Sequence, residues 1–108
     1  METLVKKVVY HPISIDFLLG REHDEKIVEN YKTIIIEEIK GFEIAVKNID
    51  KFIKLVKRSK SKDEANELIV KAFGLTQHQS EMILLTKVSD IAKLNLQVIQ
   101  KKLKEITI

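Results

Sequence analysis

The chain has 108 residues and a net charge of +3, room for one domain or a piece of a larger one. Three glycines, one proline, no tryptophan and an excess of Ile, Lys and Glu favour helices, while the lack of cysteine excludes disulfides and thiolate metal sites. No apolar run reaches membrane-spanning length and no signal-peptide pattern opens the chain, so a soluble, cytoplasmic protein without a membrane partner is expected.

The first 20 residues are the least regular. "LVKKVV" can open a helix, whereas Ile13, Ile15 and Phe17 alternate with Ser14 and Asp16 as in a short strand. Pro12 breaks any continuous element and Gly20 closes the segment. Residues 1–22 are therefore set apart as an N-terminal segment, and 23–108 are read as one helical unit.

From Asp24 to Arg58 the pattern predicts one long helix of roughly 50 Å. Val28, Ile35, Phe42, Ile49 and Val56 recur every seven residues, and Ile39, Val46 and Ile53 form a second row. Two such rows make the seam of a coiled coil, because a 3.5-residue repeat holds one stripe against a partner helix. Gly41, in the middle, costs about 1 kcal/mol relative to alanine, which close packing would explain.

Ser61 to Glu64 is a capping box that opens a shorter helix, with Ala65, Leu68, Ile69, Ala72 and Phe73 on one face. Gly74 suits the left-handed stop at its end. Thr76 to Gln79 is a second capping box, opening the helix "QHQSEMILL", which Ser89 and Asp90 interrupt or recap. In the last helix Ala92, Ile99 and Ile106 form one heptad row, Leu96 and Leu103 the other. The expected fold is all-α: a long antiparallel coiled-coil arm, a small helical head, and the start of a return arm. The last helix covers only part of the long one, so Ile27, Val28, Ile34, Ile35 and Ile39 need residues 1–20 or a second chain.

Two strings carry a family likeness. "AVKNIDKFIKLVKRS" (residues 45–59) fits A-L-x-N-I-D-x-V-I-x-L-I-R-x-S at Ala45, Asn48, Ile49, Asp50, Ile53, Leu55 and Ser59. "FGLTQHQSEMIL" (residues 73–84) fits F-G-L-S/T-x-x-Q-A-x-A-I-L at Phe73, Gly74, Leu75, Thr76, Gln79, Ile83 and Leu84, with Ser80 and Met82 replacing two alanines. With this order and spacing, residues 27–104 resemble the A (breakage-reunion) subunits of bacterial type IIA DNA topoisomerases, the family of DNA gyrase and topoisomerase IV. After Leu84 the likeness thins to Lys87, the apolar positions 88 and 91, and Leu94. The resemblance implies a coiled coil tipped by a helical head that dimerises with its twin, the exit gate through which transported DNA leaves. It also implies that the return helix runs on past this chain.

The family's chemistry is not expected in this stretch. Its nucleophile is a tyrosine after an arginine, but Tyr10 follows Val9 and Tyr31 follows Asn30. No D-x-D magnesium motif and no Gly-rich phosphate loop is present, so no cofactor and no small-molecule substrate are expected. His11, His23 and His78 show no ligand spacing and are read as solvated or capping residues. The stripe Met82, Leu85, Val88 and Ile91 is read as head core, as a two-fold interface between copies, or as a mixture of both. Lys54, Lys57, Arg58, Lys60 and Lys62 either compensate a helix dipole or touch passing DNA phosphates. Two other readings stay open: a helix-turn-helix reading DNA through Gln77, His78 and Gln79, and an unrelated coiled-coil adaptor.

Overall fold

The computed structural model describes residues 13–21 and 25–107. Among them are eight helices and no strand: α1 (Ile13–Leu18), α2 (Glu25–Asn30), α3 (Lys32–Lys47), α4 (Ile49–Arg58), α5 (Lys62–Phe73), α6 (Gln77–Leu85), α7 (Val88–Ile91) and α8 (Leu96–Thr107). The all-α expectation holds. The helix read into "LVKKVV" lies outside the described residues.

The short strand suggested for residues 13–17 is instead helix α1. Alternation over five residues does not separate the two periods, and here Ile15 and Leu18, three apart, point the same way and are buried. α1 packs on α3 and α8, so the N-terminal part of the chain covers Ile35 and Ile39, which are also buried. Ile27 and Ile34 stay exposed, and Val28 is half-buried.

The stretch read as one helix is three, α2, α3 and α4, hitched at Tyr31 and Asn48. Backbone bonding continues across both hitches: the Tyr31 amide donates to Ile27 and the Phe52 amide to Asn48. At Asn48 the cause is local. Its side-chain Nδ2 donates to the Ile44 carbonyl at 2.8 Å, while its own amide is shared between the Ile44 and Ala45 carbonyls. An asparagine that takes a carbonyl from the helix ladder in this way loosens the turn. The longest dimension of the molecule is 39 Å, short of the expected rod.

α3 is the hub, packed against α1, α6 and α8. Ile35, Ile39 and Phe42 from the two heptad rows are buried there with Ala45, and Ile99 and Ile106 of α8 join the same core. Val46 and Leu103 are half-buried at its edge, and Leu96 is half-buried. Beyond Asn48 the rows lose the core: Ile49 is half-buried, Ile53 and Val56 are exposed, and Phe52 is the buried residue, stacked on Phe73 of α5 with ring centroids 5.9 Å apart. Ala92, placed in the last heptad row, is exposed and precedes α8, whose first turn is held by Asn95 accepting from the Gln97 amide.

Candidate dimerisation surface

α5 and α6 pack on each other, and their ends are fixed by the residues that suited those ends in the sequence. Ser61 Oγ accepts from the Glu64 amide at 3.1 Å, while the Glu64 carboxylate accepts from the Lys60 amide, one residue upstream of a full capping box. Gly74 ends α5 with φ +66°, a conformation that strains a side-chain-bearing residue. Thr76 and Gln79 make a complete box: Oγ1 accepts from the Gln79 amide at 3.1 Å and Oε1 from the Thr76 amide at 2.9 Å.

The N-terminal end of α6 is bound to the middle of α3. Gln79 Nε2 donates to the Glu37 carbonyl at 2.6 Å, Thr76 Oγ1 donates to the Glu37 carboxylate at 3.0 Å, and His78 Nε2 lies 2.6 Å from the buried carboxylate of Glu38. Gly41 leaves room for this close approach. A Cβ there would stand 3.1 Å from Gln79 Cβ and 3.2 Å from its Cγ. His78 is thus half-buried and paired with a carboxylate, neither a solvated nor a capping residue. His11 and His23 lie outside the described residues.

The C-terminal end of α6 has the opposite character. The stripe Met82, Leu85, Val88 and Ile91 divides. Met82 is buried at 2% exposure beside the equally buried Ile83, and Ile91 is half-buried. Leu85 is 48% exposed and Val88, at the start of α7, is 81% exposed. The path of the chain makes this difference: Thr86 Oγ1 donates to the Met82 carbonyl at 2.6 Å, α6 stops, and extended backbone at Thr86 and Lys87 redirects α7. Met82 therefore has almost no surface left to offer a partner, whereas Leu85 and Val88 present theirs.

α7 is held from a distant part of the chain. Arg21 donates to Asp90 through Nη1 at 3.2 Å and Nη2 at 2.5 Å, and through Nη1 to Asp16 at 3.1 Å. The hydrogen bonds from Arg21 hold the Asp90 carboxyl below its ordinary range, helped by its charge and those of Lys93 and Lys87. The sequence alone marks neither this clamp nor Glu37 and Glu38. Their partners lie 39 to 69 residues away along the chain, with no local pattern to reveal them. Lys54, Lys57, Arg58, Lys60 and Lys62 are all exposed around the end of α4 and the start of α5. Among the described residues no three His, Cys, Asp or Glu side chains converge as a metal site, and no helix is long and apolar enough to cross a membrane.

No family model matches the chain, and no solved structure matches it. The DNA gyrase A protein of Ureaplasma parvum is 32% identical over 71 residues, covering 66% of this chain and 8% of that protein. Its counterpart in Campylobacter fetus is 35% identical over 68 residues (63% of the chain, 8% of the relative), and that of Borreliella burgdorferi 29% over 89 (76% and 11%). The chain thus corresponds to roughly a tenth of the length of these relatives. Over about two thirds of its length, the chain is a gyrase A-like region.

Proposed function

We propose that this chain serves as the exit-gate dimerisation head of a type IIA topoisomerase of the gyrase A kind, two copies meeting through Leu85 and Val88. The observation that carries the reading is the pair of exposed apolar side chains at the α6–α7 corner, set on a helix whose other end is fixed to α3. A gate must hold two protomers together while DNA is cut elsewhere, then part without unfolding. Apolar groups on a rigid support do this, since their attraction scales with the area they cover and they leave no hydrogen bond unmade when separated.

On this reading Ile91 lies at the margin of the contact, and α2–α4 with α8 form the base of the coiled-coil arm. Strand passage, an isomerase activity, belongs to the parent cytoplasmic enzyme, with no step carried out by this chain. The exposed lysines around Arg58 meet passing duplex through its phosphates, without reading sequence. Helix-turn-helix reading is disfavoured. His78 and Gln79 are engaged on Glu38 and Glu37, which leaves Gln77 alone of the three base-reading candidates.

Sedimentation equilibrium tests the proposal. The wild type is expected to dimerise, and Leu85→Asp with Val88→Asp to give a helical monomer, because carboxylates of one copy would be buried against carboxylates of the other. A monomeric wild type or a dimeric double variant overturns it. The purified chain is also expected neither to relax nor to cleave supercoiled plasmid with magnesium and ATP. Covalent attachment of DNA through Tyr10 or Tyr31 would contradict that.

A further inference from the structure

Beside Leu85 the fold leaves a groove of about 380 Å³, lined by Lys62, Asp63, Asn66, Glu81 and Leu85. It forms where the start of α5 lies against the end of α6. Two features of it point to a ligand of definite chemistry. Two carboxylates, Asp63 and Glu81, and one ammonium, Lys62, line it, so the groove carries a net negative charge. Leu85 belongs both to the groove and to the exposed apolar corner, so whatever covers the corner also reaches the groove.

Immediately beyond Leu85 the chain presents Lys87 and Val88, both exposed. The acidic neighbour that could hold Lys87, Asp90, is already bound by Arg21. In an isologous contact every pairing is made twice, so a residue of one copy that meets Leu85 of the other is met in the same way in return.

We infer that this groove is the socket for the Lys87–Val88 corner of a second copy of the chain. Val88 of the second copy covers Leu85, and its Lys87 ammonium enters between the Asp63 and Glu81 carboxylates. One positive charge arriving on a socket of net charge minus one leaves it neutral. Two-fold symmetry makes the exchange twice per dimer. The inference rests on the exit-gate reading and adds to it what fixes register: apolar area holds the copies together, and two charge pairs decide how they align.

The experiment is a charge-swap cycle read by sedimentation equilibrium at low and high salt. Glu81→Lys and Lys87→Glu are each expected to raise the dimer dissociation constant by about tenfold or more at low salt, and by less at high salt. Combining them restores a pair within one interface, so the double variant should return to within about threefold of wild type. If circular dichroism shows that either reversal costs helix, Glu81→Gln and Lys87→Gln replace it, each expected to weaken the dimer by about threefold. Reversals without effect, or a double variant as weak as its worse parent, overturn the socket. If Leu85→Asp with Val88→Asp is then still monomeric, the gate reading survives that outcome; a monomeric wild type removes both.

Discussion

Helix α6 is nine residues long, and its two ends have opposite chemistry. At the start, Thr76, His78 and Gln79 are polar and tied to α3 by three hydrogen-bonding contacts. At the finish, Leu85 and the following Val88 are apolar and in solvent. A naive reading of the sequence places the polar residues outside and the apolar ones inside. The inversion shows that satisfied hydrogen bonds can carry an internal docking site, while the apolar area left over at the helix end is the surface that the proposed second copy would cover.

The sharpest way to break this comparison is to truncate two neighbours on one stripe. Met82→Ala removes a buried side chain and is expected to cost about 2–5 kcal/mol in urea denaturation. Leu85→Ala, measured at concentrations where the chain is monomeric, is expected to stay within about 0.5 kcal/mol of wild type. Similar losses at both positions would place Leu85 in the core after all.

Next in size is the docked end. Gly41→Ala should gain up to about 1 kcal/mol of helix propensity. The added Cβ must nevertheless push Gln79 away at its own Cβ, and Gln79 is anchored at both ends of its amide, to Glu37 and to Thr76. We expect a net loss of about 1–3 kcal/mol, the usual range for overpacking. In a double-mutant cycle with Gln79→Ala the loss should shrink, because the bonds being strained are already gone. A stabilising Gly41→Ala would mean that α6 can ride up on α3 at no cost.

How much of this is legible in the sequence follows from how local each determinant is. Ser61, Gly74 and Thr76 are legible because a cap acts within three or four residues. Ile35, Ile39, Phe42 and Ile99 are legible because a seven-residue repeat reports which side of a helix is dry. The same repeat cannot say where cover ends, so Ile53 and Val56 read as seam yet lie exposed, and Met82 and Leu85 read alike yet differ in fate. α1 reads as strand because five alternating residues after a proline satisfy the strand period as well as the helical one. The hitch at Asn48 escapes because a favourable heptad says nothing about a side chain competing for the backbone.

A smaller effect sharpens the docked side. Ser80 is fully buried on α6, its Oγ has no hydrogen-bond partner, and the family pattern places alanine there. Ser80→Ala removes an unpaired buried hydroxyl without opening much space, so it should stabilise the chain by about 1 kcal/mol. A destabilised Ser80→Ala in the same denaturation assay would reveal a bond made by that hydroxyl.

The last prediction concerns the clamp that holds α7, and with it Val88, in place. Arg21 grips Asp90 with two nitrogens and holds its carboxyl below the usual aspartate range. A carboxyl whose proton is held less tightly in the folded chain than in the unfolded one stabilises the fold only while it is ionised. That contribution is complete above the unfolded-state value near 3.8 and is lost as pH falls through the lower folded value. Denaturation followed from neutral pH down past that lower folded value should therefore show wild type losing more stability than Asp90→Asn, with the two curves drawing together below the unfolded-state value near 3.8. Arg21→Gln should trace the shallower curve as well, since it removes the same pair from the other side. If the pair also sets where Val88 stands, both variants should weaken dimerisation at neutral pH. Parallel acid curves for all three proteins would mean that Arg21 and Asp90 meet without holding α7 at all.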